Sequence, residues 1–219
     1  MKKKIIVILA LVALLSIFTT LALNAQDVVT LKHKAYTTHY SKSKHYPVMV
    51  EWWITKNTLT CVDKVKRGDK FIPDPLLPAE TNLQADYTGA GFDRGHNMPA
   101  ADAVCDQVAN EESFYFSNMT AQYPALNRGD WKSLEMLSRE TALRDDSVHV
   151  WAGSIGVAKH IGTTAVPTQC WKVIYIKKSK EWMAFIFNNT TDKADGINNN
   201  KVEVTDVEKL TNLHFKAKY

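Results

Sequence analysis

Two short stretches of the chain hold residue types that could act together on a phosphate. Residues 91–102 read GFDRGHNMPAAD, which sets His96 beside Arg94 and Gly95 in a polar, Pro-terminated turn. Downstream, residues 126–135 read LNRGDWKSLE, and Asn127, Trp131, Glu135 and Arg139 follow at intervals of four. In a helix that spacing drifts by about 40° per step, so one side would present both Asn127 and Glu135. A neutral amide oxygen, a carboxylate and a guanidinium on adjoining faces suit Mg²⁺ and a phosphate. Each residue also has an ordinary reading. His96 could be a hydrogen-bonded turn histidine, Asn127 a helix cap, and Glu135 with Arg139 a surface pair.

Taken together the two stretches are more specific than either alone. Asp-Arg-Gly-His-x-x-Pro-Ala followed by Asn-x-x-x-Trp-x-x-Leu-Glu resembles the DNA/RNA non-specific endonuclease family, one of the ββα-metal or His-Me finger nucleases. The likeness runs over residues 36–189. It implies His96 as the general base that activates water and Asn127 as the protein ligand of Mg²⁺, with Mn²⁺ or another divalent ion as a substitute. Glu135 would hold water on the metal, and Arg139 would meet the phosphate as charge develops. Arg94 would bind phosphate or brace the loop, while Asp93 and Gly95 shape the turn that presents His96. The substrates implied are DNA and RNA, cut to 5′-phosphate ends.

The physical chemistry fits those roles. A neutral imidazole with a pKa near 6.5 can take a proton from water near neutral pH. Contacts to backbone phosphate carry no base information, so broad cleavage of DNA and RNA is expected, with the preference between them left open. Arg128, Lys132, Arg139 and Arg144 would line the catalytic helix with positive charge, and Arg94, Arg128, Lys132 and Arg139 are the expected substrate contacts. The alternative is a catalytically silent nuclease-like domain that only binds nucleic acid or a protein partner.

The elements that must position these residues are legible in outline. Residues 1–25 have the form of a secretory signal: Lys2, Lys3 and Lys4, an apolar run over 5–15, then Leu23 and Ala25 before a cleavage at Gln26. An uncleaved anchor over 5–23 is the competing reading, but a basic stop-transfer flank is missing. Export to the periplasm or medium, with no membrane attachment after cleavage, is the expectation. The formal charge of +4 then shrinks to +1, because 24 basic residues face 23 acidic ones over residues 26–219. Anion binding must therefore come from a local patch.

Those 194 residues suit one α+β domain: a mixed, largely antiparallel sheet flanked by helices, carrying the ββα-metal motif. Strands are expected over 48–55, paired with 28–40 upstream, and over 114–117 and 148–155. Residues 171–176 and 182–187 form a hairpin about a turn at 177–181. Residues 64–86 read as a long surface loop, residues 127–143 as a helix, and Thr205 to Glu208 as a capping box. Trp52, Trp53, Trp171 and Trp182 read as sheet packing, and His33, His39 and His45 as surface residues. Cys61, Cys105 and Cys170 allow three pairings.

Overall fold

A computed structural model describes residues 27–217, so the leader expected over residues 1–25 lies outside the described residues. The strands are β1 (Val28–Lys32), β2 (Tyr36–Ser41), β3 (Tyr46–Thr55), β4 (Asp93–His96), β5 (Met119–Gln122), β6 (Ser147–Ile155), β7 (Lys159–Ile161), β8 (Thr164–Val166), β9 (Gln169–Ile176), β10 (Glu181–Asn188) and β11 (Lys201–Val202). Seven of them form one sheet in the order β1-β2-β3-β6-β9-β10-β11. Every pairing in it is antiparallel. Three helices matter to the argument: α1 (Gln107–Glu112), α2 (Lys132–Asp145) and α3 (Val204–Thr211). The fold is α+β, as the sequence predicts, and the strand expected over 28–40 is two, folded into a hairpin.

The central strands are buried on both faces, so both parities of their sequence are chosen for packing. In β6, Val148, Val150 and Ala152 join Trp52, Ile54, Ile174 and Ile176 in a core covered by Trp131, Leu134 and Ala142 of the helical segment. The opposite face presents Trp151, Trp171, Val173 and Tyr175 to Val207 of α3 and to Phe215. A third cluster, Leu83, Tyr87, Phe92, Phe116, Met119, Ala121, Ile161 and Val166, seats the β4–β5 pair beside the sheet. The four tryptophans named above pack on the sheet: Trp52 and Trp171 are buried, Trp53 and Trp182 partly so.

Several local expectations are corrected. Residues 91–102 are not simply a turn: Asp93–His96 is a strand, with His96 opposite Met119. The strand expected over 114–117 is absent there. Only a single bridge links Tyr115 to Ile72, and Phe116–Asn118 coils into a 3₁₀ turn, because the segment must bend sharply into β5. The helix of 127–143 begins in earnest at Lys132; Asn127–Trp131 is a wider turn broken at Gly129 (φ −99°, ψ −111°). Gly129 lies against Ala194, where an added Cβ would come within 2.7 Å of the Ala194 methyl. The capping box near the end is built by Glu203 and Asp206, two residues before the Thr205 start expected.

The 64–86 loop is anchored rather than merely superficial. Asp74 is fully buried and accepts from the Leu76 N–H and the Ser117 hydroxyl, with His33 Nε2 at 3.0 Å. Burial opposes ionisation of that carboxyl, but these partners hold it below the ordinary carboxylate range. His33 is thus an interior side chain and not a surface one, its ring tilted against that of Tyr36 at 4.5 Å. Cys61 and Cys105 form a disulfide across 44 residues and Cys170 stays buried and reduced, which selects one of the three pairings.

Gly153 marks the tightest place in the sheet: a Cβ there would lie 2.1 Å from the Val48 carbonyl oxygen, a backbone atom that cannot swing away. Gly153→Ala is expected to cost about 1–3 kcal/mol of stability. Urea denaturation checks this, and an unchanged midpoint would contradict the packing described.

Candidate active site

His96 ends β4, and its surroundings follow from how that strand is pinned. The Trp131 indole, fully buried, donates Nε1–H to the His96 carbonyl at 2.9 Å, which ties the strand to the start of α2. On the other side Asn118 is fully buried and acts as a bracket. Its Oδ1 accepts from the Met98 N–H (2.9 Å), and its Nδ2 donates to the Met98 and Ser113 carbonyls (2.9 and 2.8 Å). Asn118 thus locks the turn that follows His96.

The imidazole lies edge-on to Phe114 (4.9 Å between centroids) and Phe71 (5.6 Å). Its Nε2 is buried without a hydrogen-bond partner, so the ring can serve a cleft only through Nδ1. Burial, and then the Arg67 guanidinium, push its pKa down to about 3. The ring is therefore neutral well below neutral pH, which lowers the value of 6.5 expected from sequence.

His96 opens onto a cleft of about 440 Å³ that also takes in Asn127, Arg128, Lys132, Glu135 and Arg139, with Arg67 at its edge. Asn127 and Glu135 do reach the same space, but not as one face of a continuous helix, because the break at Gly129 separates them. Nor is Asn127 the N-cap of a helix; it is the C-cap of the one-turn helix Pro124–Leu126, through its backbone N–H. Its Nδ2 donates to Asp93 Oδ2 at 2.9 Å, which leaves Oδ1 as the atom to serve the cleft. The same carboxylate receives Arg128 Nε and Nη2 at 2.8 and 2.6 Å. Against the cost of burial, these two partners hold the Asp93 carboxyl below the ordinary range. Asp93 thus does more than shape a turn: it orients the asparagine. Arg128 is committed to it, although the side chain remains mostly exposed on the cleft wall.

Arg139 is aimed by Asp102, which is buried and accepts from Arg139 Nη1 (3.0 Å) and Trp52 Nε1 (2.9 Å). Burial raises the Asp102 carboxyl, and Arg139 and Trp52 work against that rise. Burial likewise raises Glu135 above the usual carboxylate range, with Lys172 the largest opposing influence. Arg94 is placed differently. It does not line the His96 cleft but lies over the Phe71 ring at 4.7 Å, bracing the residue that backs His96. Arg144 pairs with Asp145 at the far end of α2 and takes no part in the cleft.

Among the described residues no group of three His, Cys, Asp or Glu side chains could hold a metal ion. A cation here would instead use the Asn127 amide oxygen and water, near the Glu135 carboxylate. That hard-oxygen set fits a divalent ion that keeps most of its water. Three residues that sequence reasoning missed complete the site. Arg67 sat in a segment read as solvated. Asp102 ended the first motif without a role. Lys172 shares strand parity with Cys170, Ile174 and Ile176, an inward-facing lysine that a count by twos would have flagged.

A basic cleft with one imidazole, one amide and one carboxylate, set on an antiparallel α+β frame, defines a phosphodiester-cleaving nuclease. The model of the DNA/RNA non-specific endonuclease family matches residues 17–219, and the chain belongs to that family. It is an endonuclease that hydrolyses phosphodiester bonds. It is 34% identical over 205 residues to "Nuclease C1" of Cunninghamella echinulata var. echinulata, covering 84% of this chain and 81% of that protein. It is also 34% identical over 202 residues to "Nuclease" of Serratia marcescens, covering 84% and 74%. A solved structure of EndoG, in complex with EndoGI, superposes with a TM-score of 0.77 at 26% identity, over 85% of this chain and 84% of that one.

The depressed His96 pKa has a thermodynamic consequence with a definite sign. Between about pH 6.5 and the folded value near 3, the unfolded chain carries a proton that the folded protein excludes, so stability falls as pH falls. In metal-free protein this one group contributes a slope of about 1.4 kcal/mol per pH unit across that window. His96→Gln is expected to remove that increment from urea midpoints measured at about pH 6 and pH 4. A variant with the unmutated slope would contradict the burial of the ring.

Proposed function

We propose that this chain is an exported, Mg²⁺-dependent endonuclease that cleaves DNA and RNA alike, leaving 5′-phosphate and 3′-hydroxyl ends. The observation that carries the reading is the convergence of His96, Asn127 and Glu135, from three separately held segments, on one basic cleft. Export is supported by the form of residues 1–25, whose cleavage before Gln26 leaves the domain of residues 26–219, and by the Cys61–Cys105 disulfide, which suits an oxidising compartment.

The chain's residues divide the work as follows. Arg139, held by Asp102, and Lys132 bind the phosphate; Arg67 and Arg128 add charge at the rim, and Arg94 steadies the Phe71 wall behind His96. His96 takes the proton of the attacking water on Nδ1, since Nε2 is buried. An anionic phosphate entering beside the imidazole raises its basicity toward the working range, opposing the effect of burial and Arg67. Asn127 Oδ1, fixed by Asp93, would hold the divalent cation, and Glu135 would order the water around it. The chemistry that a bound cation supplies is Lewis-acid stabilisation of the phosphorane charge and of the departing 3′-oxygen. These residues address the phosphodiester, which DNA and RNA share, and none of them reads a base edge, so both polymers are taken as substrates.

Supercoiled plasmid and total RNA should both be degraded by the purified protein with Mg²⁺ and neither with EDTA. His96→Ala is expected to lower the rate by roughly 10²–10⁴-fold while nucleic-acid binding persists. Asn127→Ala should abolish activation by the metal, and Arg139→Ala should weaken both binding and turnover. Gel assays with these variants check the assignment. Intact substrates with the unmutated protein over a range of divalent ions would leave the cleft as a binding site only.

A further inference from the structure

The sheet beneath the cleft carries a charge where its neighbours in the pleat are apolar. Lys172 lies in β9 on the face that also presents Cys170, Ile174 and Ile176, and it is 1% exposed. A lysine so placed is rare without compensating charge, and an apolar residue of similar volume would pack there at least as well. Its Nζ sits 4.1 Å from the centre of the Trp131 ring and 5.8 Å from that of Trp52. Both rings belong to the site, since Trp131 donates to the His96 carbonyl and Trp52 to the Asp102 carboxylate.

The charges around Lys172 are those of the cleft. Glu135 attracts it most strongly, Asp102 attracts it as well, and Arg139 repels it. The relation is mutual: burial pushes Glu135 up and Lys172 down, and each is the largest influence holding the other in its charged form. Trp131, whose face covers the ammonium, stands one helical turn before Glu135. The cation therefore lies under the stretch of chain that presents Glu135 to solvent.

We infer that Lys172 is a positioning residue for hydrolysis, a buried cation beneath α2 whose charge holds the Glu135 carboxylate on the cleft wall, where it orders the water around the ion at Asn127. The inference rests on the metal-dependent reading above. It also explains why the core tolerates a lysine: the site uses the charge that packing alone would discard.

The test compares Lys172→Met, Glu135→Gln and the double variant with the unmutated protein. Methionine keeps most of the stem and removes the charge. Mn²⁺ binding is measured by calorimetry without nucleic acid, plasmid hydrolysis at saturating Mg²⁺, and thermal midpoints in EDTA. Lys172→Met is expected to weaken Mn²⁺ binding and to lower kcat by roughly 10- to 100-fold each. KM for plasmid should stay unchanged, and the double variant should be no worse than Glu135→Gln alone. Unmutated Mn²⁺ affinity and kcat in Lys172→Met, or losses that multiply in the double variant, would overturn the inference. If Lys172→Met does not fold, the double variant decides: folding with the midpoint of Glu135→Gln supports charge compensation, and failure to fold assigns Lys172 to packing. If the unmutated protein neither binds Mn²⁺ nor cleaves, the hydrolytic reading fails. The midpoints then test the pairing by itself, which requires Lys172→Met to cost more with Glu135 present than in the E135Q background.

Discussion

The arrangement depends on one indole. Trp131 is wholly enclosed between the sheet and the strand that ends in His96, and its Nε1–H is spent on the His96 carbonyl. A tryptophan gains its stability from the large area it removes from water, but only if the polar tip finds a partner. Here the partner is the backbone of His96 itself. The residue that covers the core thereby sets the distance between β4 and α2, and with it the distance between His96 and everything that α2 carries.

From that joint outward, the site is a series of polar groups each held by a second group. Asp93 turns Asn127, Asp102 turns Arg139, Asn118 closes the backbone after His96, and Lys172 sits under Trp131. Such holders let the contacting side chains keep one orientation without paying ordering entropy when a phosphate arrives. The same burial moves the acid–base groups away from their solution behaviour: imidazole toward neutrality, Glu135 toward the acid form, Lys172 toward the amine. A bound phosphate would oppose the shift of the imidazole, and a bound cation that of Glu135.

How much of this could be read without coordinates depended on how local the cause was. His96, Asn127, Glu135 and Arg139 are legible because their types and spacing are unusual, and the hairpins are legible because β-branched and aromatic residues alternate. The sheet order, with β3 against β6 and β6 against β9, comes from contacts between residues about a hundred or fewer positions apart and leaves no mark on spacing. Asp93 and Asp102 are visible as residues but not as holders, since their partners lie 34 to 50 positions away. The helical reading of Asn127 failed for a local reason: periodicity was counted straight through Gly129, where the backbone departs from helix. Arg67 and Lys172 were hidden in opposite ways, one in a charged loop and the other in an apolar strand.

In the proposed mechanism a single divalent ion sits on Asn127 while His96 remains off the metal as the base. The decisive measurement is anomalous scattering from crystals of the unmutated protein soaked with Mn²⁺ and a short non-hydrolysable oligonucleotide analogue. One strong peak is expected in the cleft, coordinated by Asn127 Oδ1 and a phosphate oxygen, with His96 outside its ligand shell and Glu135 reaching it only through water. A peak liganded elsewhere, or no peak with the oligonucleotide bound, would contradict it.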